Sequence, residues 1–323
     1  MKYFVLGAMP PPLGGVSIYC MRRVESLKNA GRNVTVYNST KKMSLILLIL
    51  HVLCFRITNR KFVVEVNISN PIALFFLTVS GVARSSLFLD HNSSRRLKNG
   101  KIYSFCFKHF CRSAQSIAVV NPNLINNYDF LPKVKQSKIK VQSPFLAPSE
   151  CEIAEAKKCF PKHLEHLLKG DIRDIVLASA WMPVSNETEN DLYGIKDTLK
   201  VFESCLALFP QITFVLMIGK FDDSIFSMEI KELINELKEY SNFEFIEGGL
   251  SQLPLLPKTS TLLRLTKTDG DSLSVREVLH FGGNVIATDV TVRPDKVETV
   301  AVNDIEATCK KLIINLEKLK ELD

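Results

Sequence analysis

Apolar positions recur along the chain with two different periods, and the periods alternate. Short β-branched and aliphatic runs at 2–7, 33–38, 62–67, 86–90, 115–120 and 138–142 read as strands. Stretches at 17–30, 44–55, 72–80, 102–112 and 123–128 carry apolar residues three and four apart and read as helices. The second half repeats the plan, with strands at 174–179, 212–218, 243–247, 261–266 and 284–288 and helices at 151–168, 195–208, 228–240, 274–281 and 305–321. Alternation of this kind predicts an α/β chain of parallel sheets covered by helices on both faces. Prolines punctuate Ser143-Pro144-Phe145-Leu146-Ala147-Pro148-Ser149, which sets the expected domains at 1–145 and 146–323. The halves share architecture without a sequence repeat, as two Rossmann-like, doubly wound domains facing across a cleft would.

Composition supports two cores: 323 residues, 46% hydrophobic, exceed one ordinary domain. The eight cysteines are scattered, and Lys2-Tyr3-Phe4-Val5-Leu6-Gly7 reads as a first strand and not a secretory signal, so a reduced cytoplasmic protein is expected. Cys106, His109 and Cys111 lie close together, but their spacing on a helix does not suit a tetrahedral site, and neither metal nor cofactor is expected. Charge is segregated. Residues 1–145 hold 21 Lys and Arg against 4 Asp and Glu, leaving 20 against 30 for the remainder, so the halves carry about +17 and about −10. The first half is therefore expected to meet a polyanion, lipid headgroups or nucleic acid. No recognition module or aromatic-basic interleaving supports nucleic acid. The apolar stretch 43–55 is too short to span a bilayer, which needs roughly 20 residues. Two readings stay open for it: a helix packed in the first domain, or one lying in the headgroup layer.

Three places could carry chemistry. After the first strand, Met9-Pro10-Pro11-Pro12-Leu13-Gly14-Gly15-Val16-Ser17 leads into a helix, and Gly14 and Gly15 let backbone N–H groups approach an anion or a sugar. The loop is neither a P-loop nor G-x-G-x-x-G. His91 follows the strand 86–90, at the edge where open α/β sheets bind ligands; the alternative is a histidine that merely bonds a neighbouring loop. The third place lies between the strands 261–266 and 284–288. There Asp269-Gly270-Asp271-Ser272 opens a helix that ends at Gly282-Gly283, and Glu277 stands on that helix. A carboxylate at the strand's end can accept sugar hydroxyls, one in the helix can hold a ribose, and the helix N-terminus suits a diphosphate. The structural alternatives are a capping box from Ser274 to Glu277 and a turn-forming Asp269-Gly270 pair.

From Arg264 through Asp269, Gly270 and Glu277 to Gly282-Gly283-Asn284-Val285-Ile286-Ala287-Thr288-Asp289 and Arg293-Pro294, the chain resembles retaining glycosyltransferases of family 4, with an acid, seven residues and a second acid. Asp269 stands where the first Glu is usual. Gly14-Gly15-Val16-Ser17 and His91 are similar to that family's donor-side loop and its histidine. The resemblance implies a GT-B fold and a retaining hexosyltransferase. It implies that Glu277 binds the donor ribose, that Asp269 holds the transferred sugar, and that the backbone from Asp271 through Ser272 and Leu273 to Ser274 meets sugar or diphosphate. His91, Asp269 and Arg264 are the expected catalytic set, with Gly14, Gly15, Lys267 and Gly270 on the donor. The family's usual Arg and Lys are missing from Leu177-Ala178-Ser179-Ala180-Trp181-Met182 and Asn190-Asp191-Leu192-Tyr193-Gly194-Ile195, so Arg264, Lys267 or Lys196 are expected to substitute. The expectation is a cytoplasmic enzyme, peripheral on the inner membrane face. It takes a UDP- or GDP-sugar on its second domain and passes the sugar to a lipid-linked glycan held by its first. The alternatives are a non-catalytic glycan- or nucleotide-binding subunit that stimulates a partner transferase, and a sugar-nucleotide 2-epimerase.

Overall fold

The computed structural model describes residues 1–11, 13–98, 100–170, 173–185 and 191–320. Its chain divides into two compact units, Met1–Leu146 and Ala147–Asp323. Each is a six-stranded, wholly parallel sheet wrapped by helices.

In the first unit, β1 (Lys2–Gly7), β2 (Asn33–Asn38), β3 (Phe62–Asn67), β4 (Ser86–Asp90), β5 (Ser116–Val119) and β6 (Lys140–Val141) lie in the order 2-1-3-4-5-6. The helices are α1 (Gly15–Asn29), α2 (Lys42–Ile57), α3 (Pro71–Val79), α4 (Lys101–Ser113) and the single turn α5 (Lys133–Gln136). Phe4, Leu6, Val64, Val66 and Phe88 project from the central strands into a core closed by Leu48, Leu74, Phe107 and Phe110. The chain leaves β1 toward β2 but leaves β3 toward β4, so the strand order reverses between β1 and β3, where a doubly wound sheet opens a crevice at the strands' carboxyl ends.

The second unit contains α6 (Glu150–Lys158), β7 (Ile175–Ala180), α7 (Ile195–Leu206), β8 (Thr213–Ile218), α8 (Ile225–Leu237), β9 (Phe243–Glu247), β10 (Thr259–Arg264), α9 (Leu273–His280), β11 (Asn284–Thr288), β12 (Val297–Val300) and α10 (Ile305–Lys320). Its order is 12-11-10-7-8-9, with the reversal between β7 and β10. The central strands are buried on both faces, which is why Phe214-Val215-Leu216-Met217-Ile218 reads as an unbroken apolar run.

Several elements differ from the sequence reading. The expected helix 151–168 breaks into α6 and a 3-10 segment, Lys162–Leu168, because Pro161 cannot continue the backbone hydrogen bonding. The expected helix 123–128 is a 3-10 segment, Pro122–Tyr128. The strand expected at 261–266 runs two residues earlier, so Leu265 and Thr266 belong to the loop that carries the candidate site. β12 and α5 had no periodic signal. Pro12, Asn190 and the expected helix end at Glu321 lie outside the described residues.

Candidate functional site

In the second unit the candidate residues gather at the reversal point. β10 delivers Arg264 to the sheet's carboxyl edge, and the chain then loops through Asp269 before α9 begins. Asp269 is held between two guanidinium groups: its Oδ2 accepts from Arg293 Nη1 at 2.8 Å and from Arg264 Nε at 3.4 Å. Its Oδ1 accepts from the N–H of Gly270 at 3.0 Å, the local contact an Asp-Gly turn supplies. The Asp269 side chain is 10% exposed and that of Arg293 4%. Burial pushes the Asp269 carboxyl up, but the charges and hydrogen bonds of Arg264 and Arg293 more than offset it and leave it below its ordinary value. Arg293 is fixed in turn by Thr288 O, to which its Nε donates at 2.9 Å. Arg264 reaches across the reversal point, with Nη1 3.4 Å from Ser179 O at the end of β7 and its guanidinium 5.5 Å from the Tyr193 ring centre.

Glu277 is buried, and its Oε2 accepts from Gln252 Nε2 at 2.8 Å. Gln252 Oε1 accepts from Ser179 Oγ at 3.2 Å, so one amide ties the end of β7 to α9. The capping box from Ser274, the structural alternative for Glu277, does not form. Ser272 is the N-cap, which makes Glu277 the fifth residue of the helix and not the third. Ser272 makes no side-chain cap; its Oγ lies 2.9 Å from Ser274 Oγ, so the first-turn N–H groups of α9 are not closed by the N-cap side chain. Asp271 sits beside this turn and takes Arg276 through three contacts of 2.9 to 3.1 Å. The loop is pinned at two further points: Thr291 Oγ1 donates to Gly270 O at 3.1 Å, and Lys267 N to Leu192 O at 2.9 Å. Leu273 opens the helix between these groups.

The three cations named as substitutes separate. Lys196 turns away to Glu229 and lies over the Phe226 ring, so it is committed to α8. Arg264 is shared between Asp269, Ser179 and Tyr193. Lys267 makes no ion pair among the described residues. The neighbouring N-terminus of α7 is already closed by Asp191, whose carboxylate accepts from Ile195 N at 2.9 Å and Lys196 N at 2.8 Å. Gly194, the N-cap of α7, has φ +64°, and a Cβ there would lie 2.1 Å from Leu265 O, so only glycine lets α7 approach the site loop this closely.

The first unit holds its own cluster. Gly14 is the N-cap of α1, and its N–H donates to Ser17 Oγ at 2.9 Å. Gly15 begins the helix. His91 follows β4 and packs edge-on against Tyr19 of α1, ring centres 4.9 Å apart. Its Nε2 is 3.1 Å from Asn67 Oδ1 at the end of β3; a carboxamide oxygen only accepts, so the proton sits on Nε2 and Nδ1 keeps its lone pair. Burial lowers the His91 pKa to about 4, so the ring is neutral near pH 7. Asp90 fixes the following loop: Oδ2 accepts from Tyr128 Oη at 2.8 Å, and Oδ1 from Ser94 N at 3.3 Å.

Arg293, Gln252 and Asn67 orient candidate residues. Arg293 stands at the end of the stretch that carries the resemblance, where the sequence assigns it no role; the two amides have no sequence signal, since only folding brings them near their partners.

No family model matches the chain, and no curated protein does. Solved structures do match. Anabaena HepE, in complex with UDP and glucose, is similar with a TM-score of 0.68 at 12% identity, covering 99% of this chain and 91% of that one. A glycosyltransferase from Rickettsia africae gives 0.64 at 14%, covering 98% and 88%, and sucrose-phosphate synthase from Thermosynechococcus elongatus gives 0.65 at 12%, covering 99% and 90%. Identities this low speak for fold alone. The chain has the GT-B fold, with two Rossmann-like domains.

Proposed function

We propose that this chain is a nucleotide-sugar-dependent glycosyltransferase. One observation carries the reading: a buried carboxylate clamp, a helix whose first turn its N-cap side chain leaves open, and a second buried carboxylate stand in sequence at the reversal point between β7 and β10. Those are the groups a sugar, a diphosphate and a ribose call for in turn. Glu277 takes a ribose hydroxyl, since a carboxylate oxygen can accept a second donor beside the Gln252 amide. The α9 N-terminus and Lys267 meet the diphosphate, and Arg264 stabilises it as it departs. Asp269 orients the transferred sugar.

HepE's complexes with UDP and with UDP-glucose make a UDP-sugar the first donor to try, ahead of a GDP-sugar. The acid, seven residues, acid spacing supports transfer with retention, and the basic first unit suits an anionic, lipid-linked acceptor at a membrane face. Titration calorimetry with UDP, UDP-glucose and GDP-mannose tests the donor directly. Binding of one nucleotide that weakens at least tenfold in Glu277→Gln, with melting preserved, supports the reading; no binding of any of the three defeats it.

A second reading is favoured by one feature. Asp269 Oδ2 is already satisfied by two arginines, as it would be in a subunit that binds nucleotide or glycan without turning it over. Donor binding with no sugar transfer or donor hydrolysis would select that reading.

A further inference from the structure

α2 is apolar on both sides. Ser44, Leu48 and Val52, four apart, turn toward the sheet, while Met43, Ile46, Leu47, Leu50 and Leu53 are exposed on the other side. A helix on a watery surface carries polar residues outward, and one that is apolar all round has a cover on its second side. α3 repeats the arrangement: Leu74 and Leu77 face in, and Ile72, Phe75, Phe76 and Val79 are exposed. α4 adds Ile102 and Phe105.

These helices are neighbours. The crossovers β2 to β3, β3 to β4 and β4 to β5 all run the same way along the sheet, and right-handed crossovers then put α2, α3 and α4 on one face. α3 packs on α4, and Arg56 at the end of α2 donates to Gly81 O at 2.8 Å and Ser85 Oγ at 3.1 Å, in the turn after α3. The exposed side chains thus form one apolar surface and not scattered singles, the kind that marks an interaction site. Leu50 is 57% and Phe76 48% exposed.

Cations frame it. Lys41 precedes α2, and Arg60 and Lys61 follow it. Along α4, Lys101, Lys108, His109 and Arg112 line a cleft of about 630 Å³ that Phe105 borders. The unit holding this face carries 21 Lys and Arg against 4 Asp and Glu over residues 1–145. A second copy of the chain would bring the same charge against itself. Crossing the bilayer is not open to these helices, since no described helix is long and apolar enough.

We propose that the α2–α3–α4 face is where the chain lies on a membrane of anionic phospholipid. Its apolar side chains enter the acyl boundary, and the α4 cations meet headgroup phosphates. All three helices begin at the carboxyl edge of the sheet, the edge that carries Gly14 and His91, so a lipid-borne acceptor is delivered to the end of the unit where ligands bind. The proposal rests on the glycosyltransferase reading only for why a membrane is visited, and its test uses no nucleotide sugar, so the two can fail separately.

The full chain is sedimented with vesicles of phosphatidylcholine, with and without phosphatidylglycerol, from low to high salt. The expected result is at least tenfold stronger partitioning to the anionic vesicles, weakened but not abolished by 1 M salt, because the inserted part is not electrostatic. Leu50→Glu with Phe76→Glu reduces partitioning at least tenfold with unchanged melting, and Lys101→Glu with Lys108→Glu removes the anionic preference. In Phe76→Trp, which keeps the surface apolar, emission shifts to the blue on anionic vesicles and is quenched by brominated acyl chains. An indole at 76 that does not respond to vesicles overturns the proposal. So does a lipid-free dimer that Leu50→Glu with Phe76→Glu dissociates, which would give the face to a second copy.

Discussion

Asp269 shows how much of the site rests on single charges. Removing one partner of a buried ion pair leaves an uncompensated charge and costs about 3–5 kcal/mol. In Arg293→Ala, Arg264 stays at 3.4 Å, so the expected loss is at the lower end, about 3 kcal/mol in chemical denaturation. Asp269→Asn with Arg293→Met should recover part of it, because the pair is then removed whole. A loss under about 1 kcal/mol would mean Arg264 alone neutralises the carboxylate. His91 makes a prediction about pH. Its pKa is about 4 in the folded chain and about 6.5 when unfolded, so between those values the unfolded chain binds a proton that the native one does not. Stability from this residue is complete above pH 6.5 and is lost as pH falls toward 4, by as much as about 3 kcal/mol. His91→Gln keeps a donor toward Asn67 and should flatten that part of the melting curve against pH. An identical acid slope in the mutant would assign the loss to other groups.

At the scale of elements, the largely buried strands β1, β3 and β4 were legible because burial demands apolar residues on both faces, and the edge strand β2 was legible from its alternation of Val34, Val36 and polar neighbours. Short edge elements were not. β12, Val297-Glu298-Thr299-Val300, is two charged or polar residues between valines, and its pairing with β11 exists only once Val285 and Val297 are opposed. The site was legible in the same uneven way. Asp269, Gly270 and Glu277 stand in a local pattern, whereas the Arg293 and Gln252 contacts that fix them span 24 and 25 residues. Ser274 has capping-box spacing to Glu277, but Ser272, two residues earlier, takes the N-cap position and puts Glu277 fifth in the helix. Gly194 tests how tightly the elements are built together. A methyl group there needs an unfavourable φ and meets Leu265 O at 2.1 Å, so Gly194→Ala should cost about 2 kcal/mol or more and shift the loop after β10. Donor affinity should fall with it, because Leu265, which a Cβ at Gly194 would meet, opens the loop that leads to Asp269. A mutant of native stability would show that α7 can retreat freely.

The whole molecule offers a way to locate donor binding without altering a residue. Its single tryptophan, Trp181, belongs to the second unit, just beyond β7 and packed over Gly219. Emission during heating therefore follows that unit alone, while far-UV circular dichroism follows both. A ligand that binds only the native state raises stability by about 2.7 kcal/mol at a hundred times its dissociation constant. For a unit of this size that is a rise of several degrees. If the donor sits at the β7–β10 reversal point, UDP or its sugar must move the Trp181 transition. A separate first-unit transition in the dichroism should stay in place or follow only through coupling between the units. A nucleotide that moved the dichroism while leaving Trp181 emission unchanged would relocate the donor to the first unit and exchange the roles proposed for the two halves.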